Sequence, residues 1–129
     1  MASPTLRIAV VDDDASIRRA LARLLATLDF EATTFATGAE FLGSLSDSIP
    51  DCLMLDLHMP EMTGLEVQGA LADAGIRLPV IIITGHDEPK AIRQSLKAGA
   101  VACLSKPLDD ELLLKTINTA VSHAQGPSR

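Results

Sequence analysis

Five short apolar runs, separated by stretches in which apolar residues recur with a helical period, constrain the fold of this chain most strongly. The first, third and fourth runs lack polar alternation, which is typical of parallel strands covered on both faces. The predicted strands are 6–11, 31–35, 52–55, 79–83 and 101–104, and the predicted helices are 17–28, 39–45, 65–74, 88–98 and 110–123. Because crossovers between parallel strands are right-handed, the pattern predicts a single doubly wound α/β domain of the (βα)5 type. We expect a parallel sheet of five strands in the order 2-1-3-4-5, with helices on both faces.

The length of 129 residues suits one domain. We assign residues 1–124 to it and the small, polar residues 125–129 to a flexible tail or the start of a linker. The net charge of −6 argues against a basic face for nucleic acid, and phenylalanine is the only aromatic type, so bases have no stacking platform. No apolar run approaches the roughly 20 residues that span a bilayer, and no secretory signal opens the chain. We therefore expect a cytoplasmic protein without a membrane or a direct nucleic-acid partner.

Polar residues with reactive or ligating side chains follow four of the predicted strands. In a sheet of this type, ligands bind beyond the carboxyl ends of the strands, so these side chains should share one crevice. Clustered carboxylates repel one another and need a proton or a cation, and oxygen-only ligands suit Mg²⁺ or a close substitute. The residues are Asp12, Asp13 and Asp14 after the first strand, Asp56 after the third, Thr84 after the fourth and Lys106 after the fifth. Within this group, Asp14 is expected to cap the first helix.

Four separated motifs resemble the signature of response-regulator receiver domains, which have the fold of chemotaxis regulators. They are Val10 to Asp14, Leu55 to Pro60 with Gly64, Ile83 to His86, and Ser105 to Pro107, and their wording is closest to receivers of the nitrogen-fixation regulator type. The resemblance implies that Asp56 accepts a phosphoryl group from a sensor histidine kinase or phosphotransfer protein. It also implies a Mg²⁺ (or Mn²⁺) ion held by the side chains of Asp13 and Asp56, by Asp12 through water and by the His58 carbonyl.

The same resemblance assigns the switch that follows phosphorylation. Lys106 would pair with Asp56 and then with a phosphoryl oxygen, while Thr84 would move to hydrogen-bond another, and the Lys106–Pro107 peptide bond would be cis. The altered surface would be the fourth helix, fifth strand and fifth helix, through which a homodimer is also expected. The first helix would receive the kinase. Such a protein is not an enzyme on other substrates, since it catalyses only its own aspartyl phosphorylation and dephosphorylation.

The chain departs from the family at one switch position. In the family an aromatic residue usually stands three positions before the lysine, where this chain has Cys103, so we expect the coupling of Thr84 to the output surface to be weaker or differently built. We expect both thiols, of Cys52 and Cys103, to be reduced and buried. His58 and His86 flank the crevice and correspond to positions that tune the lifetime of the phosphate.

Other interpretations remain open. A degenerate or phosphorylation-independent receiver would act as a docking platform, and an active one could serve as a phosphorelay sink. A phosphatase or dehalogenase with an aspartate nucleophile would place a second acid where this chain has His58. A flavin-binding electron carrier would have a hydroxyl- and glycine-rich phosphate loop after the first strand, where this chain has three acids that repel phosphate. Arg18, Arg19 and Arg23 are expected to form a solvated face of the first helix.

Overall fold

The structure, a computed structural model, describes residues 5–85 and 88–124. Strands and helices alternate along the described chain, as the apolar pattern predicts. They are β1 (Arg7–Val11), α1 (Ala15–Thr27), β2 (Glu31–Phe35), α2 (Gly38–Ser44), β3 (Cys52–Asp56), α3 (Gly64–Asp73), β4 (Val80–Thr84), α4 (Pro89–Lys97), β5 (Ala102–Ser105) and α5 (Asp110–Ala124). The strands form one parallel sheet in the order β2-β1-β3-β4-β5, which confirms the predicted fold. The predicted tail, residues 125–129, lies outside the described residues.

The apolar runs form the centre of the sheet because helices cover both of its faces. Every residue of β3 and β4 is buried, whereas β2 lies at the sheet edge and is largely exposed. One core cluster joins the sheet to α1 and α5 through side chains such as Leu25 and Ile117, and the other joins it to α2 and α3 through Phe41 and Val67. Burial on both faces explains why the central strands carry no polar alternation.

Local sequence signals set the helix ends. Asp14 caps α1, since its carboxylate accepts hydrogen bonds from the backbone N–H groups of Ser16 (2.8 Å) and Ile17 (3.4 Å), as predicted. Gly99 follows α4 with a φ of +112°, a conformation that glycine adopts without strain. The predicted element bounds differ from the observed ones by a residue or two. For example, β5 starts at Ala102 because the register pairs Ile81 with Ala102 and Thr84 with Ser105.

The parallel arrangement brings the carboxyl ends of β1, β3, β4 and β5 to one edge of the sheet. Asp56 and Thr84 are the last residues of β3 and β4, and the acids after β1 and the lysine after β5 lie in the loops that follow those strands. In the described part of the chain, no helix combines the length and hydropathy that a bilayer crossing requires.

Candidate functional site

Asp12 lies at the centre of the site and is fully buried. Its Oδ1 accepts a hydrogen bond from the backbone N–H of Asp14 (2.9 Å), and its Oδ2 accepts one from Nζ of Lys106 (2.8 Å). Its backbone N–H extends the pairing of β1 by donating to the Phe35 carbonyl on β2 (3.2 Å). A buried carboxylate needs partners of this kind, so the turn after β1 and the lysine after β5 are tied together through Asp12.

Asp56, the last residue of β3, is 4% exposed and faces the same crevice. Its Oδ1 lies 3.7 Å from Nζ of Lys106 and accepts a hydrogen bond from the backbone N–H of His58 (3.3 Å). Burial and the nearby Asp12 carboxylate raise the pKa of Asp56 to about 6, although Lys106 and the His58 N–H act in the opposite direction. The carboxyl is therefore mostly ionised at neutral pH, although burial and the neighbouring negative charge destabilise its ionised form.

Lys106 is the cation that both carboxylates share. Burial lowers the pKa of its ammonium, but the hydrogen bond to Asp12 and the attraction of Asp56 outweigh that effect and raise the pKa overall. Its backbone N–H donates to the Thr84 carbonyl (2.9 Å), which aligns the ends of β4 and β5, and its peptide bond to Pro107 is cis. One ammonium faces two buried carboxylates, so the site carries excess negative charge.

Three carboxylates converge closely enough to bind a cation. One oxygen each of Asp12, Asp13 and Asp56 lies within 4.8 Å of the other two, with Asp13 exposed to solvent. The donors are all oxygen, the charge exceeds what Lys106 neutralises, and the pKa of Asp56 is raised first by burial and then by the repulsion of the Asp12 carboxylate. These properties fit a hard divalent cation such as Mg²⁺, which prefers carboxylates and retained waters.

Gly64 holds the start of α3 against the end of β3. A Cβ atom at this position would lie 2.9 Å from the backbone oxygen of Asp56 and 3.3 Å from Cα of Leu57, closer than packing allows. The Gly64 N–H also donates to the Leu57 carbonyl (3.3 Å). The absence of a side chain thus lets α3 buttress the backbone that carries Asp56.

Thr84, predicted within the crevice, ends β4, and His58, predicted to flank it, follows β3 at the same edge of the sheet. Thr84 is buried at the end of β4. The imidazole Nε2 of His58 lies 2.7 Å from Oε2 of Glu88, the residue before α4, so this side chain connects the loop after β3 to the start of that helix. His86 lies outside the described residues.

Cys103 corrects one expectation. Both thiols are free, as predicted, but only Cys52 is fully buried, and Cys103 is partly exposed. Cys103 packs against the core cluster that joins the sheet to α2 and α3, as do the partly buried Ala91 and Ile92 of α4, and it is not fully enclosed because β5 is an edge strand. Burial raises the pKa of both thiols, that of Cys52 to about 12, which disfavours their thiolate forms.

Sequence reasoning missed two residues of the site. Arg18 is half-buried, and its Nη1 donates to the Asp12 carbonyl (2.8 Å), whereas Arg19 and Arg23 are exposed as expected. The assignment of Arg18 to a solvated face is therefore wrong, since its guanidinium reaches back to the carbonyl of Asp12, the residue after β1. Glu88 was also not singled out. The only sequence signal for Glu88 is its position four residues after Thr84, and that position does not indicate that it pairs with His58.

Comparison with known proteins agrees with this geometry. Residues 8–118 match the family described as response regulator receiver domain. The chain is 40% identical over 118 residues to the response regulator protein TmoT of Ectopseudomonas mendocina, covering 91% of this chain and 53% of that protein. It is 40% identical over 116 residues to the DNA-binding transcriptional regulator NtrC of Escherichia coli, covering 90% of this chain and 25% of NtrC. The chain thus spans about half of TmoT and a quarter of NtrC.

A solved structure shows the same architecture. The crystal structure of FixJ-N superimposes with a TM-score of 0.87 at 32% identity, covering 94% of this chain and 97% of FixJ-N. The resemblance inferred from the four motifs is therefore confirmed along most of the chain. The chain belongs to the response regulator receiver domain family of two-component signalling.

Proposed function

We propose that this chain is a phosphorylation-controlled switch that accepts a phosphoryl group on Asp56 from a sensor histidine kinase or phosphotransfer protein. The observation that carries the proposal is the placement of Asp56: a buried carboxylate at a strand end, 3.7 Å from Nζ of Lys106, beside two further carboxylates. Its pKa of about 6 leaves it ionised at neutral pH and poorly stabilised, which favours nucleophilic attack.

The transfer proceeds by displacement at phosphorus. An oxygen of the Asp56 carboxylate forms a bond to phosphorus while the P–N bond of the phosphohistidine donor breaks. The electron pair of that bond stays on the imidazole nitrogen, which takes up a proton. The product is an aspartyl phosphate, so the negative charge in the crevice increases and its neighbours must respond.

Other residues of the site position and neutralise the phosphoryl group. Lys106, already 2.8 Å from Asp12, turns its ammonium toward a phosphoryl oxygen, and the Thr84 hydroxyl donates to another. Asp13 and Asp56 would hold Mg²⁺ or Mn²⁺ directly, with Asp12 acting through water and His58 through its carbonyl. When bound, the cation supplies positive charge that offsets the carboxylates and the phosphoryl oxygens. His58 and His86 are proposed to tune the lifetime of the phosphate.

The protein in this proposal acts on itself alone. Its chemistry is the formation and hydrolysis of its own aspartyl phosphate, and its output is a changed protein contact. The alternative is a docking platform that is not phosphorylated, and labelling with acetyl phosphate distinguishes it from the switch. A phosphorelay sink would use the same acceptor chemistry and differ only in where the phosphoryl group goes next.

The output surface is proposed to be the face formed by α4, β5 and α5, and its occupant a second copy of this chain. Large apolar side chains are exposed there, with Leu112 50% and Val101 42% accessible, beside a cavity of about 480 Å³ that both residues line. The exposed Arg93 of α4 and Glu111 of α5 give the face opposite charges, which suits pairing with itself about a two-fold axis.

Sedimentation with and without a beryllium fluoride phosphoryl mimic tests this contact. We expect dimerisation with the mimic, lost in Leu112→Glu and retained in Ile49→Glu, a matched control that is also 50% exposed but lies outside α4, β5 and α5. A protein that stays monomeric at high concentration in both states would contradict the proposed dimer.

Intact mass after incubation with acetyl phosphate and Mg²⁺ tests the phosphoacceptor. We expect the wild type to gain one phosphoryl group, with no gain when EDTA replaces Mg²⁺. Asp56→Asn should gain nothing. Asp14→Asn is the matched control, because it alters an acid of the same cluster that serves as a helix cap, a role that asparagine also fills.

The outcomes separate the candidate functions. A gain in the wild type and in Asp14→Asn, removed by hydroxylamine as an acyl phosphate should be, supports the switch. No gain in a folded protein that binds Mg²⁺ would favour the docking platform, and a gain that persists in Asp56→Asn would move the acceptor elsewhere.

A further inference from the structure

Arg18, the fourth residue of α1, contacts the backbone of the site at Asp12. Its Nη1 donates a hydrogen bond of 2.8 Å to the backbone carbonyl of Asp12, and its side chain is half-buried. Its neighbours Arg19 and Arg23 on the same helix are exposed. The contact therefore distinguishes Arg18 from the other arginines of α1.

The bond completes the set of partners that hold Asp12. Oδ1 accepts from the Asp14 N–H, Oδ2 accepts from Lys106, and the carbonyl oxygen accepts from Arg18. All three oxygens of Asp12 are thus engaged by three separate groups. Because the carbonyl belongs to the peptide unit that joins Asp12 to Asp13, the guanidinium sets the direction in which the chain leaves Asp12.

We propose that Arg18 is a positioning residue for the divalent-cation site. By holding the Asp12 carbonyl, it orients the peptide that precedes Asp13, so that the carboxylates of Asp12 and Asp13 converge with that of Asp56 within 4.8 Å. The inference rests on the proposed function, since the cation concerned is the one required for phosphoryl transfer.

Charge alone would have the opposite effect, which makes the inference testable. The guanidinium is positive and repels a divalent cation, so a purely electrostatic role predicts that its removal tightens Mg²⁺ binding. A positioning role predicts weaker binding, because residues that orient metal ligands typically contribute a factor of about 10 to 100 in metal affinity.

The experiment measures Mg²⁺ binding directly, by calorimetry on metal-free, unphosphorylated protein. We expect Arg18→Met to weaken binding about tenfold and Arg18→Lys, which keeps a charged donor, to recover part of the loss. Arg19→Met is the matched control: it removes the same charge from the same helix without a contact to the site, and its affinity should stay within about twofold of the wild type.

Arg18→Met that binds Mg²⁺ as tightly as Arg19→Met, or more tightly, would overturn the inference. Urea unfolding in EDTA shows whether each variant folds, and a merely structural role would lower stability while leaving Mg²⁺ affinity intact. If Arg18→Met does not fold, Arg18→Gln decides: weaker binding supports the inference and unchanged binding overturns it.

Parallel acetyl phosphate reactions separate this inference from the proposed function. If Arg18 acts as inferred, Arg18→Met needs more Mg²⁺ for its half-maximal phosphorylation rate but reaches a similar rate at saturation. A wild type that binds Mg²⁺ but takes up no phosphoryl group would overturn the proposed function, while the calorimetric comparison would still decide the role of Arg18.

Discussion

Replacing Asp56 with asparagine should stabilise the protein at neutral pH when no divalent cation is bound. In the folded state the pKa of Asp56 is raised from 3.8 to about 6, chiefly by burial and by the Asp12 carboxylate. The folded state therefore binds more protons than the unfolded state between these values, and stability falls as the pH rises through that window. A difference of about 2 pH units corresponds to about 3 kcal/mol at neutral pH, a figure that already includes the attraction of Lys106.

The asparagine side chain carries no charge at any pH, so the gain should be about 3 kcal/mol above pH 6 and close to zero below pH 4. The chain contains no tryptophan or tyrosine, so urea unfolding is followed by far-UV circular dichroism in EDTA. Asp47→Asn, which alters an exposed carboxylate, is the control and should change stability by less than about 0.5 kcal/mol. An equal effect of Asp56→Asn at both pH values, or destabilisation at neutral pH, would refute this reasoning.

Three further changes test the packing and charge of the site. Lys106→Met should destabilise the cation-free protein by about 3 kcal/mol in urea unfolding, since it leaves the buried Asp12 carboxylate unpaired, and it should abolish labelling by acetyl phosphate. Gly38→Ala should cost about 1 to 3 kcal/mol because its Cβ would lie 2.6 Å from Cγ2 of Val67, whereas Gly43→Ala in the same helix meets nothing within 4 Å and should be neutral or stabilising. Mg²⁺ should raise the thermal midpoint of the wild type, and EDTA should reverse the rise; no effect of Mg²⁺ would contradict the cation site.

Much of the fold could be predicted because its signals are local. The uninterrupted apolar runs of β3 and β4 require cover on both faces, and short spacers with helical periodicity supply it. Asp14 could be identified as a cap because a side chain that bonds the backbone two or three residues on depends only on neighbouring sequence. The position of Asp12, Asp56 and Lys106 at one edge followed from strand order, since parallel strands deliver their carboxyl ends together.

Other features depended on contacts between segments distant in sequence. Cys103 is partly exposed because β5 is an edge strand, and its own sequence run looks as apolar as a central one. The bridge from Gln68 of α3 to the Ser95 carbonyl of α4 (3.1 Å) depends on how two helices pack over the sheet. The pairing of His58 with Glu88 likewise depends on where the start of α4 lies.

The order of residues along the chain was enough to predict the alternation of strands and helices, the strand ends at which the acids and the lysine lie, and therefore the kind of chemistry available. Which of several equivalent side chains contacts the site depends on how the helices pack on the sheet. Arg18 and Arg19 are adjacent and chemically identical, yet only Arg18 is shown donating to the Asp12 carbonyl. Hydrogen bonds act over about 3 Å, and the direction of a side chain around a helix selects its partner only once the helix is packed on its sheet.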